Sequence, residues 1–293
     1  MDFATAVTRH RAQLLANGRS QHTLEQYHRH LQALARWLAA CARDTGDVAD
    51  IDHLALADFL ASPEALLRPD GRAKKTTSVN ALRNSLRGFF RYLHSSGVLA
   101  DDPGRLLARA RAGEGPPEAL VDADQERLLQ ALAAEQSPAG LRDHALFRLL
   151  LSTGVRLGSA LALEVGDLDL DRGEALLRRC KGGQIQRVFL PEATVGALQQ
   201  HLGPRAAGAV FPGQAGAPMT ARHAQRRLDH WLDKAGCHPS SPHRLRHAFA
   251  LGLYARTRDV LLVQRALGHR SIESTLRYAR ATDDELRLAI RGR

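Results

Sequence analysis

Within residues 243–278, near its C-terminal end, this 293-residue chain gathers side chains that could handle a phosphate. The stretch opens His243-Arg244-Leu245-Arg246-His247 and passes through Leu267-Gly268-His269. A Ser-Thr-rich segment, Ser271 to Thr275, then leads to Arg277-Tyr278. It supplies imidazoles, a guanidinium and a phenol, separated by apolar residues at helical spacing. His243 and Arg246 are three apart, so a helix would set them on one face. Leu245, Phe249, Leu253, Leu261 and Leu262 are expected to bury the opposite side and fix that face in place. Gly268 reads as a helix end, with His269 projecting from the turn beyond it. A further helix from about Ile272 is expected to carry Tyr278. These residue types suit the binding of a phosphate and its attack by a phenolic oxygen.

Two upstream motifs could join them. Ser152-Thr153-Gly154-Val155-Arg156 ends an apolar helix, turns at Gly154 and presents Arg156. Lys181 precedes the pair Gly182-Gly183, and it is one of only four lysines among 41 basic residues. An ammonium can give up a proton within functional reach, whereas a guanidinium effectively cannot, so a lysine in an arginine-rich chain suggests a specific need. His243 and His247 have the i, i+4 spacing of a helical zinc pair. However, no Glu lies between them and no acidic third ligand follows at a metalloprotease spacing. The chain also lacks a GxxxxGK[ST] phosphate loop and an acidic metal cluster.

The elements that must position these groups fall into two parts. Residues 3 to 43 read as helices, capped near Ser20 to Thr23 and striped by Leu24, Tyr27, Leu31, Leu34, Trp37 and Leu38. A helix is expected around Leu54 to Leu60, then a basic loop from Ser62 to Thr76 that holds Lys74 and Lys75. A long helix from Thr77 to Ser95 would turn Val79, Leu82, Leu86, Phe89, Phe90 and Leu93 inward. Its outer side would carry Arg83, Arg87 and Arg91, a row that could follow a DNA backbone. Gly113-Glu114-Gly115-Pro116-Pro117 is flexible and helix-breaking, and it reads as the linker. Beyond it, Asp122 to Leu132 and Gly140 to Leu151 read as helices. Two short strands, Ala175 to Arg179 and Ile185 to Leu190, are joined across Lys181-Gly182-Gly183 as a hairpin, and the rest is helical.

The formal charge is +10. Up to residue 115 there are 16 basic and 12 acidic residues, and after it 25 and 19, so each part is net positive, +4 and +6. Positive charge on both parts suits a clamp around a polyanion. With only 5% aromatic residues, recognition through many stacked bases is disfavoured. Cys41, Cys180 and Cys237 are scattered without CxxC spacing, which fits a reducing cytoplasm better than a disulfide framework. The N-terminus meets Arg9, His10 and Arg11 before any long apolar run and does not read as a signal peptide. No apolar run approaches a membrane span, so no membrane association is expected.

In order and spacing, Thr153-Gly154-Val155-Arg156, Lys181-Gly182-Gly183, His243-Arg244-Leu245-Arg246-His247, Leu267-Gly268-His269 and Tyr278 resemble the tyrosine recombinase (phage integrase) family, most of all its bacterial Xer-type members. The likeness spans essentially the whole chain. It implies a two-domain DNA clamp, mainly α with a small antiparallel β-sheet in the C-terminal domain. Residues 1–112 would be the helical, SAM-like core-binding domain, 113–121 the linker and 122–293 the catalytic domain. By the same likeness Arg156 and Arg246 clamp the scissile phosphate, and Tyr278 is the nucleophile that forms a 3′-phosphotyrosyl bond. Lys181 protonates the leaving 5′-hydroxyl. His243 acts as general base or phosphate donor, and His269 donates to the phosphate. The implied activity is site-specific recombination of double-stranded DNA through a Holliday junction, in chromosome or plasmid dimer resolution, with no cofactor, since the phosphotyrosyl bond conserves the energy for rejoining and needs neither metal nor ATP. The implied setting is cytoplasmic and nucleoid-associated: a homo- or hetero-tetramer on DNA, with a second related recombinase and a DNA translocase as partners.

The chain departs from the family's pattern at Ser159, where an acidic residue usually stands three positions after the Arg. Another carboxylate, Glu164 or Asp167, could orient Arg156 instead. After Tyr278, residues Thr282 to Ile290 carry a capping signal and the apolar set Leu286, Leu288 and Ile290, which suits a small helix docking in cis or in trans. An integrase or resolvase of a transposon, integron, plasmid or phage would use the same chemistry. A type IB topoisomerase shares the catalytic set without synapsis, and a non-catalytic DNA-binding relative is the third reading. The short front half disfavours the lambda-like integrases, which carry an additional arm-binding module.

Overall fold

The computed structural model describes every residue except 42–45, 111–118, 179–184, 214–215, 269–270, 277 and 279–293. The chain divides into two units, Met1–Gly113 and Glu114–Arg293. The linker motif of residues 113–117 and the terminal helix expected at 282–290 lie outside the described residues.

In the first unit, α1 (Phe3–Ala16) starts at Asp2, whose carboxylate accepts from the Thr5 N–H. α2 (Gln21–Ala40) starts at Ser20, whose hydroxyl accepts from the Thr23 N–H; these side chains satisfy amides that the first turn leaves without partners. α3 (His53–Ala61) follows. The stretch expected to be loop contains a further turn of helix, α4 (Pro63–Leu66), begun by the Ser62 hydroxyl and the preset φ of Pro63. α5 (Thr76–Ser95) buries Val79, Leu82, Leu86, Phe89, Phe90 and Leu93. At about 1.5–3 kcal/mol for each fully buried large apolar side chain, that stripe is a main reason α5 stays on α1 and α2, which it contacts. His10 of α1 lies within this aromatic layer, with ring centroids 5.3 Å from Tyr27, 5.4 Å from Phe89 and 5.1 Å from Tyr92.

The second unit is built on α7 (Pro138–Thr153), which buries Ala145, Leu146, Phe147, Leu149 and Leu150 almost completely. A helix buried on most sides must be covered by others, and α6 (Asp122–Ala133), α9 (Glu192–Leu202) and α11 (Pro242–Thr257) pack on it. The sheet is three-stranded and antiparallel in the order β1 (Leu168–Asp169), β2 (Glu174–Leu177), β3 (Gln186–Phe189). The register pairs Leu177 with Gln186, so β2 and β3 are the expected hairpin strands, each shorter than expected. β1 is an addition, too short to leave a pattern. The rest comprises α8 (Leu157–Leu161), α10 (Ala221–Lys234), α12 (Val260–Leu267) and α13 (Glu273–Leu276). α10 is tied to α7 through Asp143, which is fully buried and accepts from Arg227 Nε at 2.5 Å and Trp231 Nε1 at 2.9 Å. The protein is mainly helical with a small antiparallel sheet. Among the described residues no helix is long and apolar enough to cross a membrane.

Candidate active site

The site is assembled from helix ends. α7 stops at Gly154, whose φ of +63° turns the chain in the left-handed region that glycine enters without steric cost. The reversal makes Arg156 the residue just before α8. A Cβ at Gly154 would collide with the Phe249 ring and touch Leu267, so close packing of α7, α11 and α12 also requires glycine here. α12 ends in the same way at Gly268, with φ +61°. α11 begins at Ser241, whose hydroxyl accepts from the Arg244 N–H, with Pro242 in its first turn.

Arg246 lies on the buried side of α11, 4% exposed. Its Nη1 donates to the Gly154 carbonyl at 2.6 Å and its Nη2 to the Leu267 carbonyl at 2.8 Å. Both acceptors close C-terminal helix turns, where carbonyls lack intrahelical partners and carry the negative end of the helix dipole. This is how a guanidinium is kept in a nearly dry place. Burial, and then the positive charge of Arg156, push its pKa down to about 10, with Tyr278 acting in the opposite sense. Arg246 therefore remains charged at neutral pH, with a second guanidinium and a phenol close enough to influence it.

Tyr278 sits just past α13 rather than on it: the helix ends at Leu276 and the Tyr278 N–H closes a turn on the Thr275 carbonyl at 2.9 Å. A four-residue helix suffices because fully buried Thr275 and 4%-exposed Tyr278 anchor the turn, the latter against Ala250, Val263 and Leu267. The phenolic oxygen lies 2.5 Å from Nδ1 of His247, which is itself buried. The His243 and His247 rings meet edge to face at 4.3 Å. His243 is exposed at the start of α11. His247 is the residue that sequence reasoning missed. Its i, i+4 relation to His243 was visible, but it pointed only to metal ligation.

Arg156, His243, Arg246 and Tyr278 thus share one region, while Lys181 and His269 lie outside the described residues. The stem of the Lys181 hairpin is visible: Gln186, opposite Leu177, donates from Nε2 to the Ala266 carbonyl at 3.0 Å and lies against Gly268. Neither carboxylate expected to orient Arg156 does so. Asp167 is held by Arg178 and by the Glu164 N–H, and Glu164 reciprocates toward Asp167 in a capping box. Among the described residues no ion pair reaches Arg156. Ser159 is buried in α8.

A groove of about 1050 Å³ opens beside the site, its lining including Arg156, Gly268, Phe189, Phe249, Leu261 and Leu262. Leu261 and Leu262 are 63% and 42% exposed. They therefore do not bury the back of α11 as their spacing suggested, but face outward from α12.

In the first unit, Arg87 and Arg91 are exposed on α5 and Lys75 immediately precedes it. Arg83 is half-buried and donates to the Asn80 side chain at 3.3 Å. Asn80 in turn exchanges two hydrogen bonds with the Ala110 backbone. The Lys74 ammonium reaches the Glu64 carbonyl at 2.6 Å and that of Ala65 at 3.1 Å. Burial lowers its pKa while Glu64 opposes the shift, so Lys74 ties its own loop to α4.

Residues 119–285 match the Phage integrase family, and residues 9–97 match the Phage integrase N-terminal SAM-like domain. Tyrosine recombinase XerC of Pelobacter propionicus is 31% identical, covering 91% of this chain and 87% of that protein. XerC of Xanthomonas campestris pv. campestris is 34% identical over 88% and 78%. XerD of Proteus mirabilis is 32% identical over 94% and 87%. Among solved structures, XerH site-specific recombinase bound to its difH substrate superposes with a TM-score of 0.73 at 23% identity, over 94% of this chain and 81% of that one. The Tn1549 transposon integrase with transposon right end DNA gives 0.75 at 18% identity, over 100% and 99%. These structural likenesses bear on the fold. A family match over more than half the chain, with Xer relatives above 30% identity along nearly all of it, shows that the chain belongs to the phage integrase family of tyrosine recombinases.

Proposed function

We propose that this Xer-like site-specific recombinase cuts double-stranded DNA by attack of the Tyr278 phenolic oxygen on a phosphodiester and rejoins it by reversal. The observation that carries this reading is the buried phenol packed against Leu267, whose carbonyl also holds the Arg246 guanidinium. An incoming phosphodiester would place its non-bridging oxygens on the two guanidiniums, which neutralise the charge that grows there as phosphorus becomes five-coordinate. The Tyr278 oxygen forms a bond to phosphorus and the 5′-oxygen leaves, taking a proton from Lys181. His243, exposed at the start of α11, and His269 donate to the phosphate. The phosphotyrosyl bond preserves the energy of the phosphodiester, so the strand can be resealed without ATP.

Lys75, Arg83, Arg87 and Arg91 hold the DNA backbone through the N-terminal domain, residues 1–112. Lys74 joins them only through its loop, given its backbone bonds. A linker at 113–121 joins this domain to the catalytic domain, 122–293. Four protomers, of one kind or two, exchange strands through a Holliday junction in the cytoplasm, on nucleoid DNA. The groove beside Arg156 has the apolar lining needed to receive a terminal segment carrying Leu286, Leu288 and Ile290. A nicked suicide duplex carrying the protein's recombination site, located first by footprinting, tests the central step. Wild-type protein is expected to become covalently attached to the DNA and Tyr278→Phe protein is not. An adduct that survives Tyr278→Phe removes the nucleophile assignment.

A further inference from the structure

We infer that His247 is the proton acceptor for Tyr278. This rests on the nucleophile assignment above and adds a residue to it. The two groups are 31 positions apart in sequence, yet the Tyr278 oxygen and His247 Nδ1 are 2.5 Å apart. Both residues are more than nine-tenths buried. Helix geometry aims the imidazole: His247 follows Arg246 on α11, so the backbone that presents the clamp also presents the base, one position further round. The His243 ring, packed edge to face with a centroid separation of 4.3 Å, limits how far the imidazole can swing. His243 is the exposed member of the pair and His247 the buried one. The histidine nearer solvent is thus placed to meet the phosphate, while the inner one holds the phenol.

A phenol with an ordinary pKa near ~10 is almost wholly protonated at neutral pH, so its attack needs somewhere to put the proton. In the proposed step the oxygen–phosphorus bond forms as the O–H bond breaks. The proton passes to Nδ1 of a neutral His247, and the phosphorus–5′-oxygen bond breaks with protonation by Lys181. On resealing, His247 returns its proton to the phenol. Among the described residues, the titratable and charged groups around the imidazole include Tyr278 and His243, in ring contact, and its neighbour Arg246, on which the charge of Arg156 acts. α7 and α12, which pack on α11, contribute Gly154 and Leu267 at the Phe249 contact.

The test measures the rate of covalent adduct formation on the nicked suicide duplex as a function of pH, using the full chain. Wild type should show an acid limb where His247 gains a proton, and above it a plateau reached well below the phenol's own range near ~10. In His247→Asn the amide can still bond to the phenol from the Nδ1 position but cannot take its proton. Its rate at pH 7 should fall about 10²–10⁴-fold, the usual contribution of a positioned base. DNA affinity should be unchanged, and the rate should climb with pH toward the phenol's own titration. His243→Gln should be slower than wild type but keep the acid limb. A His247→Asn protein as fast as wild type, or faster, or one that retains the wild-type limb, overturns the inference. So does a wild-type rate that keeps climbing with pH toward the phenol's own range with no plateau below it, a result that needs no variant and stands even if His247→Asn fails to fold. Tyr278→Phe is run in parallel: an adduct from that protein defeats the nucleophile assignment itself, whereas its absence with an unchanged His247→Asn profile defeats only the role of His247.

Discussion

At the scale of single residues, Gly154 governs the site without touching the reaction. It lets α7 end in a left-handed turn, gives its carbonyl to Arg246 and leaves room for the Phe249 ring. Gly154→Ala is expected to cost about 1–2 kcal/mol for the left-handed conformation and a further ~1–3 kcal/mol for crowding the ring. In urea this should appear as a lower unfolding midpoint of the catalytic unit. Adduct formation should fall more steeply than stability, because moving the Gly154 carbonyl moves Arg246 and the turn leading to Arg156. If Gly154→Ala protein lost stability but kept wild-type cleavage, the coupling between this turn and the clamp would be disproved.

At the scale of elements, much of the architecture was legible because long helices advertise their buried stripe. The apolar positions of α2 and α5 were readable from periodicity, and so were the spans of α6 and α7. Shorter pieces were not. α4 and β1 are too brief to show a period, and α13 stops two residues before the phenol it was expected to carry. Leu261 and Leu262 were misread because spacing reports a helix face but not whether anything covers it. Order and family likeness placed Arg156 and Arg246 in one site although they lie 90 positions apart in sequence, whereas the contact of Tyr278 with His247 depends on a turn that no motif encodes. Buried polar ties are equally silent in sequence. Asp143 looks like any surface acid, yet it accepts from Arg142, Arg227 and Trp231 with no exposure at all. Asp143→Ala should leave the Trp231 N–H and two guanidiniums without their acceptor and destabilise the catalytic unit by roughly 3 kcal/mol. The measurement is a urea titration followed by Trp231 fluorescence in a Trp37→Phe background, since the chain has two tryptophans; an unshifted midpoint would mean that α7 and α10 are held by apolar contact alone.

At the scale of the whole molecule, 14 histidines in a chain of charge +10 make acid the natural stress on the fold. His10 shows the sign of the effect. Burial among Tyr27, Phe89 and Tyr92 lowers its pKa to about 4 from 6.5. His30, bonded to Ser85, is lowered to about 4 by burial and then by the charges of Arg29 and Lys74. The unfolded chain therefore takes up these protons first, at about pH 6.5. Stability from keeping them neutral is complete above that pH, is lost as pH falls toward 4, and does not fall further below it. For His10, which is only 3% exposed, the loss is up to roughly 3 kcal/mol; the more exposed His30 adds less. Histidines of the catalytic unit shift in the same direction, His144 and His201 both lowered first by burial, so the two units must be followed separately. Amide hydrogen exchange can do this by reading α1, α2 and α5 as a set between pH 7 and pH 4.5, after correction for intrinsic exchange rates. Protection of that set should drop with pH in wild type. In His10→Phe, which keeps a ring in the aromatic layer and removes its proton site, the drop should shrink. If the slope were the same in both proteins, acid sensitivity of the N-terminal unit would have to come from groups other than His10.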